Sequence, residues 1–452
     1  MAGGAAPAAV VASGPAVSKR QEYFAFALVT SLFFLWGFSY GLLDVLNKHF
    51  QNFFSITKLE STCIQVAYFG AYIVYSPVAG QFISRFGYKN GIFMGLALYS
   101  IGALCFWPSA HFQKYAGFVA SAFVIACGLA TLEVCANSYI AVLGSPERAG
   151  FRLNFAQSFN GVAAFVGPLI ASKYFFSDSK DSDNHSLGSI QFVYLAVACL
   201  GATVAVLFFF AKMPEISEAA MTDMQEQQGY RDDRPLWKRK HCMLGFVTQF
   251  AYVGAQVTVA SFVMNYLTDH GSYTDASAAR MFSYMQITFM VARFASTPLL
   301  RYFDNALILA AYGAMCTIFS LVAALTGGKV GVACLFIIFF FESVCYPTTF
   351  TLATMNLGPW TKRGGALVVM GVGGGAAFPP MQGALADARG TTISYVIPFI
   401  GFLFVAVYGA GMYFYCKRFE RLVAEAEANM GSGFDTPVKE KDEDKLATVQ
   451  HL

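Results

Sequence analysis

Runs of about 18 or more consecutive apolar residues recur along almost the whole chain, and this feature constrains its fold more than any other. In a bilayer interior each backbone N–H and C=O must be paired within the protein, so such runs cross it as helices. Twelve are legible, at roughly 24–46, 61–84, 91–109, 115–142, 154–175, 190–211, 243–267, 278–300, 306–327, 330–354, 364–386 and 393–416. Only 13% of the 452 residues are charged, about half the share usual in soluble domains. An all-α, multi-pass membrane protein is expected.

The longest polar connector, MPEISEAAMTDMQEQQGYRDDRPLWKRKH, falls between the sixth and seventh runs. It predicts a disordered N-terminal tail over 1–22, a six-helix bundle over 23–212, a cytoplasmic linker over 213–241, a second bundle over 242–418 and a disordered tail over 419–452. The residues at 1–18 lack the order of a cleavable signal peptide. With both termini inside, inner segments hold about 21 Lys and Arg against about 8 outside, as the positive-inside rule requires. Asn184-His185-Ser186 is then a weak glycosylation sequon in an outer loop.

The two halves read as repeats. GQFISRFGYKNG after the second run answers to STPLLRYFDNA after the eighth, and LGSPERAG after the fourth to LGPWTKRGG after the tenth. FSYGLLDV in the first run lines up with FAYVGAQV in the seventh, pairing Tyr40 with Tyr252 and Asp44 with Gln256. Parallel six-helix repeats about a long central loop are the plan of major facilitator transporters, with the substrate held between halves near the midplane. The net charge of +3 is too small and dispersed for nucleic acid. Ten Cys without a CxxC pair, and no HExxH or GxSxG, leave no metal site, cofactor or enzyme chemistry to expect.

Function then rests on the few polar groups inside the runs. A charge at the bilayer centre costs about 2.5 to 3.5 kcal/mol on insertion scales, and Asp44, Glu133, Arg293 and Glu342 are charged residues placed within spans. Asp44 shares a helix face with Tyr40 and Gly37, and Trp36 lies at its edge. Glu133 and Asn137 sit at i and i+4 on the fourth span, while Asn154, Gln157 and Asn160 follow at i+3 steps on the fifth. These amides and carboxylates suit a polyhydroxylated ligand, although hydrogen bonds between helices would use the same groups. Arg293 is expected to snorkel toward the nearby inner face. Pro347 is expected to break the tenth helix near Glu342 and Tyr346, and VMGVGGGAAFPP to bend or pack closely. The acidic groups belong to the first half; the second offers Gln256, Tyr and Gly surfaces.

The segments FFLWGFSYGLLDVLNKHFQ, LEVCANSYIAVLG, FRLNFAQSFNG and CYPTTF with its following NLG resemble the fucose:proton symporter family of the major facilitator superfamily, over about 24 to 416. Ser84, where the superfamily usually carries Asp, is similar to this branch. The resemblance implies that Asp44 is the proton-coupling carboxylate and that Glu133, Gln157 and Asn160 contact sugar, Glu133 also touching the coupling. Trp36 and Tyr346 would line the cavity. Gly41 and Leu43 stand where bacterial fucose permeases carry Asn, so glucose or galactose fits at least as well as fucose.

The expected function is proton-coupled hexose symport by a monomer, with sugar, protons and the lipid bilayer as partners. A carboxylate kept from water holds its proton more readily, so one that gains and loses H⁺ as access alternates links the two fluxes. A non-transporting sugar sensor, or a uniporter or exporter of another small solute, are the alternatives. The plasma membrane is the location the family implies.

Overall fold

The computed structural model describes residues 19–54, 63–143, 148–175, 188–211, 213, 234–270 and 273–431. The remainder, including the Asn184 sequon, most of the central linker and both chain ends, lies outside the described residues. In the first half α1 spans Lys19–Phe54, α2 Cys63–His111, α3 Tyr115–Val142, α4 Ala149–Phe175 and α5 Gly188–Phe210. In the second, α6 spans Lys240–His270, α7 Asp275–Ser296, α8 Leu299–Tyr302, α9 Asn305–Thr326 and α10 Gly328–Phe341. They are followed by α11 Cys345–Ala353, α12 Thr361–Met370, α13 Gly374–Arg389, α14 Thr391–Ser394 and α15 Val396–Gly431.

Some of these elements are not one pass each. The 49 residues of α2 would reach about 70 Å as a single rod, more than twice the roughly 30 Å of a hydrocarbon core. Gly87, at φ 85 and ψ 172, is the reversal point, a conformation essentially confined to glycine. The tenth pass is α10 and α11 joined by a tight turn at Glu342–Val344, and the eleventh is α12 and α13 joined at Gly371–Gly373. Among the described residues the helices therefore make twelve passes, six in each half, in a multi-pass membrane protein.

Sequence and position agree on which passes are central. Among the described residues nine helices are long and apolar enough to cross by composition alone, and α4 and α7 are not among them. They are the helices that carry the Asn154, Gln157, Asn160 row and Arg293. These two meet across the halves, where the Gln157 carbonyl accepts from Arg293. Polar helices are tolerated because they face protein rather than lipid.

The halves close on each other at the end that carries Arg85, Lys89, Lys362 and Arg363, the basic end. A Cβ on Gly80 of α2 would lie 2.3 Å from the Cβ of Ala366 on α12, and one on Gly365 would lie 2.3 Å from Ser138 Oγ on α3. Small residues let the backbones approach this far. Lys362 is buried beside them, its ammonium 4.7 Å from the centre of the Tyr88 ring. Gly80→Leu is expected to hold this end apart. Overpacking costs about 2 kcal/mol, enough to shift an open–closed equilibrium about thirtyfold. The check is labelling of a cysteine placed at Ser138, which should react with thiol reagents added from the basic end faster in this variant than in its absence.

Candidate functional site

Glu133 lies on α3 with little exposure, surrounded by both halves. The Tyr346 hydroxyl, from α11 in the second half, donates to Glu133 Oε1 at 2.5 Å. Glu133 Oε2 has no hydrogen-bond partner among the described residues. Trp36 of α1 shares a small crevice with Glu133, walled by Leu32, Phe33, Leu129, Leu132 and Ala136, and its indole donates to the Tyr72 hydroxyl at 2.5 Å. The Tyr72 and Tyr68 side chains are buried within electrostatic range of Glu133. One carboxylate and one indole thus line a crevice with room for about one water molecule, and three phenols lie around the carboxylate.

The amide row of α4 is held in three different ways. Asn160 Nδ2 donates to the Phe33 carbonyl at 3.3 Å, where α1 and α4 come so close that a Cβ on Gly37 would lie 2.2 Å from the Asn160 carbonyl oxygen. Gly37 therefore reads as a helix-approach residue. Gln157 Nε2 donates to Asn137 Oδ1 at 3.1 Å, joining α4 to α3. Asn154 Nδ2 donates to Thr348 Oγ1 at 3.2 Å, joining α4 to α11 of the other half. Asn137 Nδ2 and Asn154 Oδ1 are left unpaired.

These observations sort the residues singled out in the sequence. Trp36, Glu133, Asn137, Gln157 and Tyr346 fall in one connected region, with Asn154 and Asn160 on either side along α4. Gln256 is half-buried on α6. Asp44 and Tyr40 lie on α1, and their side chains fall outside the described residues. By backbone position Asp44 is two turns beyond Trp36, about 12 Å along the helix, away from the basic end.

Arg293 corrects an expectation. It does not snorkel; it is 3% exposed, with Nε donating to the Ser343 carbonyl at 2.6 Å and Nη1 to the Gln157 carbonyl at 3.1 Å. Its guanidinium carbon lies 4.5 Å from the Phe289 ring centre. The cause is Pro347: it has no N–H to give the Ser343 carbonyl four residues back, which is left free of helical pairing and offers a buried cation an acceptor. The turn at Glu342–Val344 lies at that carbonyl, so the tenth helix breaks where the proline is expected to break it. Glu342 is buried nearby, its backbone carbonyl accepting from Tyr252 at 2.8 Å. Arg293→Met removes both bonds of the cation and should cost about 3 kcal/mol, read as a lowered thermal midpoint in detergent.

The sequence reading passed over Tyr68, Tyr72 and Gln249. Gln249 carried a signal: it lies seven residues before Gln256, on the same face of α6. The two tyrosines carried none, because an aromatic residue in an apolar helix is indistinguishable from core filling until its neighbours are known.

Twelve passes in two halves, meeting around a buried carboxylate and a row of amides, define a membrane carrier with its site between the halves. Residues 24–378 match the family model described as Major Facilitator Superfamily. The chain belongs to that superfamily, a family of transporters rather than enzymes, and within it to the fucose:proton symporter branch. It is 35% identical over 397 residues to the glucose/galactose transporter of Brucella abortus biovar 1 (strain 9-941), covering 87% of this chain and 95% of the relative. Over 389 residues it is 33% identical to the L-fucose-proton symporter of Escherichia coli (strain K12), covering 82% and 89%. The crystal structure of the transporter FucP in its outward conformation is similar at a TM-score of 0.75, with 30% identity and coverage of 87% and 99%.

Proposed function

We propose that this protein is a proton-coupled hexose symporter that works by alternating access. The observation that carries the reading is the Tyr346–Glu133 hydrogen bond, which joins the two halves at the buried carboxylate. Its relatives bear the names glucose/galactose transporter and L-fucose-proton symporter. Gly41 and Leu43 thin out the polar groups beside Asp44, which favours glucose or galactose over fucose.

The basic end is cytoplasmic, with both termini on that side, on the strength of its Lys and Arg. The close contacts at Gly80, Gly365 and Lys362 then seal the site from the cytoplasm, and the membrane we assign to the carrier is the plasma membrane. Each chain carries a complete site, so the working unit is a monomer, divided into bundles at 23–212 and 242–418 as the sequence predicts.

The mechanism follows from what ionisation costs in a dry site. Asp44 and Glu133 bear charge readily when wetted and poorly when enclosed. Protonation at the outer face removes that penalty, sugar binds to Glu133, Gln157 and Asn160, and the loaded carrier reorients. Separation of the halves at the basic end breaks the Tyr346–Glu133 and Asn154–Thr348 bonds, admits water and releases proton and sugar. Counterflow in vesicles preloaded with unlabelled sugar tests the substrate class. Labelled D-glucose or D-galactose should enter, and exclusion of every hexose in a panel that includes L-fucose would overturn the assignment.

A further inference from the structure

Gln249 is fully buried, and it is the one buried amide among the described residues whose nitrogen and oxygen both lack a well-formed hydrogen bond. A carboxamide offers two donors and an acceptor, and buried polar groups are nearly always paired. An unpaired amide in the wall of a carrier is suited to a partner that arrives from outside the chain.

Its surroundings hold it in place for that role. Gln249, Tyr252 and Gln256 share one face of α6. Gln249 lies beside Tyr346, the residue that reaches across to Glu133. The broken eleventh pass presses on the same stretch: a Cβ on Gly371 would lie 2.9 Å from the Gln249 Cβ, and one on Gly374 would lie 1.9 Å from the Phe250 carbonyl oxygen. These two approaches fix the backbone that carries the amide, which has the Tyr346 hydroxyl as a polar neighbour without forming a well-aligned hydrogen bond.

We propose that Gln249 is a substrate-binding amide of the second half, taking a pair of adjacent hydroxyls of the pyranose on the side opposite Glu133 and Trp36, and so setting which hexose is preferred. This rests on the hexose-transport reading. Donor and acceptor on one planar group match two neighbouring hydroxyls, one accepting and one donating, and a sugar lacking either would leave half of the amide unsatisfied.

The test is competition by D-glucose, D-galactose and their monodeoxy analogues in proteoliposomes of the full-length protein, with thermal unfolding measured in parallel. For the unsubstituted protein at least one deoxy analogue should compete about tenfold more weakly than its parent. In Gln249→Leu that gap should close to within about twofold while the gaps at other positions persist. The thermal midpoint of the sugar-free variant should fall little, since the amide makes no well-aligned hydrogen bond and the neighbouring Tyr346 hydroxyl keeps its bond to Glu133. Parallel profiles at every position would overturn the proposal, as would a lowered midpoint with unchanged discrimination. If Gln249→Leu does not reach the membrane, Gln249→Asn takes its place: a change confined to the same hydroxyl supports the proposal and a uniform change overturns it. An unsubstituted protein indifferent to every sugar would overturn the hexose reading and this proposal with it. Intact discrimination with an unaltered variant profile overturns this proposal alone.

Discussion

Asp44→Asn is expected to leave the exchange of sugar across the membrane within about twofold of the unsubstituted protein and to abolish accumulation against a gradient. The amide has almost the volume of the carboxyl but neither gains nor loses a proton, so it mimics the protonated carrier permanently. Exchange needs only reorientation of the loaded form and survives. Net uphill movement needs the proton to be released on the inner face, and that step is gone. With one proton per sugar, a gradient of one pH unit supplies about 1.4 kcal/mol, or about tenfold accumulation. The variant should reach none of it. Concentrative uptake by Asp44→Asn equal to that of the unsubstituted protein would show that another group carries the proton.

The second large effect concerns the bond between the halves. Tyr346→Phe leaves Glu133 Oε1 without the donor it has in the structure. Leaving a buried acceptor without its donor costs about 2 kcal/mol, so the closed state should be depopulated by about thirtyfold and exchange slowed accordingly. Glu133→Gln keeps an acceptor for the tyrosine hydroxyl and should preserve closure, while sugar affinity loses its dependence on pH. The two variants therefore separate the mechanical role of the site from its ionisation. If Tyr346→Phe exchanged sugar at the normal rate, the bond would be incidental to the cycle.

The fold was legible in the sequence because lipid imposes so strict a demand. Long apolar runs, a single long polar connector and a matched pair of loops left one architecture, and the helices fall where those runs lie. The reversal at Gly87, which turns the 49 residues of α2 into two passes, falls in the connector between the runs at 61–84 and 91–109. What could not be read was how short that connection is, since the backbone stays helical on both sides of Gly87. The break in the tenth pass, at Glu342–Val344, falls where Pro347 places it, at the carbonyl four residues back.

The candidate site was legible where polarity is rare. Glu133, Gln157 and Asn160 stood out because amides and carboxylates are costly in a membrane, and the structure brings Glu133, Asn137 and Gln157 into one region with Tyr346 and Trp36. Depth was not legible. Arg293 seemed close enough to the basic end to reach water, and only the carbonyl freed at Ser343 explains why it points inward. Nor could the sequence show that Gly37 serves helix approach, since spacing alone puts it on the same face as Asp44.

The central claim is that a proton gradient moves the sugar. The most direct measurement is uptake of labelled D-glucose or D-galactose by the purified protein in vesicles, with the external pH set one unit below the internal pH and internal pH recorded at the same time. The account predicts sugar accumulation together with acidification of the interior that depends on sugar, both lost in Asp44→Asn. Equal uptake with and without the gradient, and no proton entering with the sugar, would contradict it.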